Sequence, residues 1–110
     1  MKVETINDLE CKIGGNADEN WKILSESSQD NLFFHLSSFP SCYVIYNCNK
    51  ENYPDMNIIK QIAEVCKNNT KYKNLKNIKV DFTLCSNVVK GDKVGEVIYK
   101  SNRQVKQIKL

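Results

Sequence analysis

The chain has 110 residues, 41% of them hydrophobic and 26% charged, with a formal net charge of +3, which suits one domain around a single core. No apolar run approaches the roughly 18 residues of a membrane span, and Met1-Lys2-Val3-Glu4 opens the chain without an apolar leader, so a cytoplasmic location and no membrane partner are expected. The charge is uneven: residues 1–55 hold four lysines and nine carboxylates, net −5, whereas residues 56–110 hold eleven lysines, Arg103 and four carboxylates, net +8, which makes the second half either a candidate polyanion surface or a solvated lysine face.

In chain order, residues 9–13 read as a short strand ending at Gly14-Gly15. Asn16 can cap a helix running to about Leu24, with Glu19 completing a capping-box-like pattern. Ala17, Trp21 and Leu24 recur there at helical spacing. After a polar loop, residues 32–36 read as a strand buried on both faces or nearly so. Pro40 marks a turn, and residues 42–47 return, so residues 32–47 form a hairpin. Pro54 sits where a helix over about 55–68 begins. Met56, Ile59, Ile62, Ala63 and Cys66 share one face of it, and Lys71 and Lys73 follow its end.

Ile78, Val80 and Phe82 alternate with Lys79, Asp81 and Thr83, the pattern of a strand with one wet face. Gly91-Asp92 is a turn signal. Residues 94–100 and 104–110 flank Ser101-Asn102-Arg103 as a hairpin. Val105 and Ile108 fall on opposite faces of the last segment, as a bulge or two-sided burial would produce. The order β-α-β-β-α-β-β-β implies one α+β domain over residues 1–110, a mainly antiparallel sheet with two helices packed against it.

Few residues suit catalysis. His35 is the single histidine, and although Cys42, Cys48 or Cys85 could approach it in space, no thiol-protease signature surrounds them. Asp18-Glu19 suit the first turn of a helix. Neither phosphate-cradling glycine motif occurs. The five cysteines include no C-x-x-C pair, so free, buried or half-buried thiols are expected, with no metal and no cofactor. Asn68-Asn69-Thr70 spells a glycosylation sequon that a cytoplasmic chain would not use. Gly14-Gly15 before a helix is either a tight turn or a close approach to a phosphate. His35 is either structural or a ligand contact, and Phe33 and Phe34 suit a core better than a base platform. The wealth of lysine and asparagine is a composition that AT-rich coding genomes produce.

Two sets of segments extend this reading. The first comprises Gly14-Gly15-Asn16-Ala17, Asn20, Asn31-Leu32-Phe33-Phe34-His35 and Pro40-Ser41. The second comprises Val80-Asp81-Phe82-Thr83, Asn87-Val88-Val89-Lys90 and Gly95-Glu96-Val97-Ile98-Tyr99. Together, over roughly residues 12–109, they resemble the NFACT-R domain, a small nucleic-acid-binding module. The sequence departs from that pattern at Gly15, where a basic residue is usual, at Asn31, where an acid is usual, at Phe33, which replaces a tryptophan, and at Tyr43, which replaces a histidine.

The resemblance implies a non-catalytic domain that contacts nucleic acid through Gly14, Gly15, Asn16, Asn20, His35, Ser41, Tyr43 and Lys90, with Lys93, Lys100, Arg103, Lys106 and Lys109 widening the positive surface. Members of the family occur as the C-terminal part of ribosome quality-control factors and as small separate proteins. RNA, either tRNA or rRNA, is therefore the expected partner, with the ribosome as a candidate host. A single arginine leaves little capacity for bidentate base readout, so binding should be salt-sensitive and weakly sequence-specific. DNA binding is the alternative within the same chemistry. A divergent copy serving as a protein-interaction or structural component is the alternative outside it.

Overall fold

The computed structural model describes residues 1–110. A six-stranded antiparallel sheet forms its centre. Along the chain come β1 (Lys2–Ile6), β2 (Leu9–Ile13), α1 (Ala17–Ser25), β3 (Leu32–Leu36), β4 (Val44–Tyr46), α2 (Met56–Asn68), β5 (Lys79–Leu84), β6 (Val88–Lys90), β7 (Val97–Tyr99) and β8 (Lys106–Lys109). The large sheet runs β1-β2-β4-β3-β5-β8, and β6 and β7 make a separate two-stranded ribbon. The α+β class and the mainly antiparallel sheet with two helices are as the sequence predicts. No helix is long and apolar enough to cross a membrane.

The strand β3 is central and buried on both faces, except at His35. Its alternate side chains feed two cores. Leu32, Phe34 and Leu36 join Val44, Tyr46, Val80 and Phe82 under Ile59, Ile62, Ala63 and Cys66 of α2. Phe33 points the other way, with Tyr43, Ile45, Cys85 and Val88, under Ile23 of α1 and the β6–β7 ribbon. A two-sided strand needs continuous apolar sequence, which Leu-Phe-Phe-His-Leu nearly supplies.

Both helices carry side-chain caps. Asn16 Oδ1 accepts the Glu19 N–H at 2.9 Å, and Asp55 Oδ1 accepts the Ile58 N–H at 3.0 Å. Asp55, not Pro54, thus opens α2, and Met56 at its start is exposed. The buried face of α1 also differs from the expected stripe. Asn20 and Ile23 point inward, Trp21 and Leu24 lie half-buried beside them, and Ala17 is exposed.

The expected hairpin over residues 94–110 does not form. β7 pairs with β6, and β8 pairs with β5 along the outer edge of the large sheet. Asn87 explains the divergence. Its Nδ2 donates to Ser101 O at 2.9 Å, its Oδ1 accepts from Ser101 N at 2.9 Å, and its carbonyl accepts from Lys100 N at 2.9 Å. The chain is held there, makes a short 3-10 turn over Asn102–Gln104 and crosses to β5. Val105 belongs to that turn and not to β8, which removes the phase conflict with Ile108. The strand β1 was not expected. Asn7 and Asp8 between β1 and β2 both have positive φ, 51° and 67°, the backbone of a two-residue type I′ hairpin turn.

Asn87 is 3% exposed, and its truncation strands the buried polar atoms around it. Asn87→Ala is expected to destabilise the fold by about 1–3 kcal/mol, read as a lowered urea midpoint at unchanged slope.

Candidate functional site

At one end of the large sheet, six segments converge on a cleft of about 670 Å³. Gly14, Gly15, Asn16 and Asn20 come from the entry to α1, and His35 from the end of β3. Pro40, Ser41 and Cys42 come from the β3–β4 loop, Asn69, Thr70 and Lys71 from the chain after α2, and Val94 and Gly95 from the β6–β7 loop. Lys2, at the start of β1, completes the rim. Of the residues singled out in the sequence, Gly14, Gly15, Asn16, Asn20, His35 and Ser41 are thus brought together.

Hydrogen bonds define the frame of this cleft. Gly14 N–H donates to Tyr43 O at 3.0 Å, and Tyr43 N–H donates to Asn20 Oδ1 at 3.0 Å. A Cβ on Gly14 would collide with that same Asn20 oxygen, so the glycine admits the asparagine. Ser41 Oγ accepts from Leu36 N at 2.9 Å and donates to Cys42 O at 2.9 Å, which closes the β3–β4 loop. Tyr43 lies beneath the cleft: its ring is fully buried edge-on to Phe33, and its hydroxyl donates to Gly95 O. Burial pushes its phenol up to about 12. Gly95 has φ +89°, and its Cα rests against Ala17, a place no side chain can occupy.

The electrostatics are mixed at the α1 entry and positive elsewhere. Glu19 Oε1 accepts the Gly15 N–H at 2.8 Å and pairs with the Met1 amine at 2.8 Å. These contacts hold its carboxyl below the usual range and set a negative charge at the positive end of the helix. Across the cleft, Lys2 Nζ donates to Asn69 Oδ1 at 2.9 Å, and Lys71 lies 5.5 Å from the Tyr72 ring centre. No lysine or arginine has a carboxylate within 4.0 Å. The positive charge of the second half is therefore uncompensated by ion pairs.

The remaining sequence candidates lie outside the cleft. Lys90 reaches Ser25 Oγ and sits 5.2 Å from the Trp21 ring centre, at the far end of α1. A nine-residue helix separates the two places by about 13 Å. Lys93 is exposed in the β6–β7 loop, next to Val94 on the rim. Lys100 and Arg103 are exposed beyond β7, where Asn87 anchors the chain. Lys106 and Lys109 lie on the edge strand β8, and Lys109 stands directly opposite Lys79. Lys2, Asn69, Thr70 and Lys71 line the cleft without having been singled out. The lysine after α2 was visible in the sequence, whereas nothing in the sequence connected Lys2 to it.

No protein-family model matches the sequence, and no curated protein sequence matches it. Among solved structures, the fold matches the C-terminal part of the fibronectin/fibrinogen-binding protein from Streptococcus suis, with a TM-score of 0.86 and 20% identity. The match covers 99% of this chain and 44% of that one, so the chain spans less than half the length of the protein it matches. At that identity the match shows a shared fold.

Burial holds the His35 imidazole below its ordinary value, against smaller opposing effects of the Leu36 main chain and Asp81. The folded protein therefore binds fewer protons than the unfolded chain near and below pH 6.5, the ordinary value. Stability should fall as pH drops through about 6.5 and be insensitive to this group above pH ~7.5. Urea midpoints at pH ~7.5 and ~5.5 should differ more for the wild type than for His35→Asn. An equal drop in both would rule the histidine out as the cause. Tyr43→Phe is expected to cost about 1 kcal/mol through the lost bond to Gly95, measured the same way.

Proposed function

We propose that this chain is a non-catalytic nucleic-acid-binding domain of the NFACT-R type that takes RNA, tRNA or rRNA, along the cleft and the lysine surface around it. The observation that carries this reading is the convergence of the Gly14–Asn20, His35 and Pro40-Ser41 segments, dispersed in sequence, on a single cleft with Lys2 and Lys71 on its rim. The shared fold with the C-terminal part of an NFACT-family protein supports it. So does the absence of carboxylate partners for the 16 lysine and arginine side chains. Phosphate oxygens would be met by Lys2, Lys71 and the side-chain N–H groups of Asn16, with charge supplying most of the affinity. His35, neutral at pH 7, would contribute a hydrogen bond or a stacking surface and not a charge.

A protein-binding role is the second reading. The matched structure belongs to a fibronectin/fibrinogen-binding protein, and the paired Val89 and Ile98 on the outer ribbon are exposed apolar side chains.

Fluorescence anisotropy against labelled tRNA, single-stranded RNA and duplex DNA, at low and near-physiological salt, separates these readings. RNA is expected to bind most tightly, with affinity falling steeply as salt rises. Lys2→Ala combined with Lys71→Ala should weaken binding about tenfold and flatten the salt slope by about 1.4, from two lost phosphate contacts on a single strand. Lys60→Ala, on the exposed side of α2, should change neither. Glu19→Gln should tighten binding roughly threefold by removing the carboxylate at the helix entry. Equal binding to all three ligands would mark a general polyanion binder. No binding at low salt would leave the protein-partner reading.

A further inference from the structure

Cys42 in the wall of the cleft packs against Cys66, which lies buried behind it. Cys42 follows Ser41 on the β3–β4 loop, is half-buried and lines the cleft. Cys66 lies in the last turns of α2 and is fully buried. Cys42 Sγ is 3.7 Å from Cys66 O, and Cys66 Sγ is 3.8 Å from Cys42 O. These reciprocal contacts bring the two thiols side by side, the proximity from which a disulfide can close. Both are free thiols in this structure.

The remaining cysteines are unlike Cys42. Cys11, Cys48 and Cys85 are buried, and burial pushes Cys11 up to about 12, Cys85 up to about 11 and Cys48 upward. Cys42 moves the other way, because the adjacent Cys66 thiol and, less strongly, Lys2 favour its thiolate against the opposing effect of burial. Cys66 itself is raised by the same hydrogen bond and by burial. The thiolate is the nucleophile in thiol oxidation, and access decides which thiolate reacts. Of the two, Cys42 is the one that opens onto the cleft.

We propose that Cys42 is an oxidisable thiol and Cys66 its resolving partner, so that a hydroperoxide converts the pair into an intramolecular disulfide along the cleft wall. With hydrogen peroxide, the Cys42 thiolate attacks one oxygen and the O–O bond breaks. The departing hydroxide takes up the proton the thiol had released and leaves as water. The resulting sulfenic acid is attacked by the Cys66 sulfur; the S–O bond breaks, and the hydroxyl leaves as water with the Cys66 proton. Two thiols and one peroxide give one disulfide and two waters, and the two electrons pass from sulfur to the peroxide oxygens. The new bond ties the β3–β4 loop to α2, joining two segments that frame the cleft.

The test is peroxide treatment of the intact folded chain, followed by thiol counting and peptide mapping by mass spectrometry. The expected result is loss of two of the five thiols and two hydrogens, with the Cys42 and Cys66 peptides joined and both thiols restored by dithiothreitol. In Cys66→Ser, dimedone should tag Cys42 as the trapped sulfenic acid. In Cys42→Ser, Cys66 should stay reduced. Survival of all five thiols at a peroxide dose that oxidises the urea-unfolded chain would overturn the proposal. So would a linkage or tag at Cys11, Cys48 or Cys85. Mapping of the wild type needs no substitution, so it decides the matter even if the Cys66 variant fails to fold.

Discussion

The side chain of Asn20 holds the end of the sheet together. It stands 6% exposed on the inner face of α1 and takes the N–H of Tyr43, whose carbonyl takes the N–H of Gly14. A buried main-chain N–H without a partner costs on the order of 1–3 kcal/mol, so this amide oxygen supports more than one hydrogen bond's worth of structure. It fixes where α1 begins relative to β4, and so sets one wall of the cleft against another. Gly14 follows from it, since any side chain there would occupy the place of the asparagine oxygen.

The same device recurs twice. Asn31, 5% exposed, donates to Asn47 Oδ1 at 3.1 Å and Cys48 O at 3.0 Å and accepts from Ser28 N at 2.9 Å. Asn87 clasps Ser101. Each asparagine side chain reaches a place where the chain lies outside regular structure and its main-chain groups lack ladder partners. A side-chain amide offers donor and acceptor together, so one residue can satisfy both kinds of orphan group. The two bonds that Asn31 donates are ones that a carboxylate could not make.

What was legible in the sequence tracks hydrophobic pattern. The strand β3, the hairpin with β4, the helix α2 and the strand β5 all carry apolar periodicity strong enough to fix both type and place. The strand β1 carries none, because its residues Lys2 to Thr5 are all exposed, and the Asn7-Asp8 turn was its one signal. The inward face of α1 was misjudged because its central buried residue is polar. The final hairpin was misjudged because two strands close in sequence each found another partner, and the clasp by Asn87 is a tertiary feature that no local pattern reports. The cleft shows the same division. The motif segments named most of its lining, but sequence spacing gave no means of adding Lys2 from one edge of the sheet or of separating Lys90 from the rest.

The lysines demand a distinction that charge counting hides. Lys79 and Lys109 stand opposite each other across β5 and β8, an arrangement that opposes pairing. On an edge strand, however, charged side chains also block the docking of another strand, and β8 is such an edge. Part of the positive surface therefore has a reason to exist that involves no nucleic acid. Lys2 and Lys71 differ, since both line a concave surface, although Lys2 also begins the opposite edge strand, β1. The frame beneath them is built from main chain, buried asparagine and glycine. At position 43 the two bonds that tie the frame are made by the main chain. At position 15 a side chain would press on the flexible end of Glu19 and touch the Met1 nitrogen only at ordinary contact distance, so the place is open to change. Substitutions at the rim thus alter what the cleft can hold while leaving its shape intact. A fold shared at 20% identity is therefore compatible with rim side chains that differ.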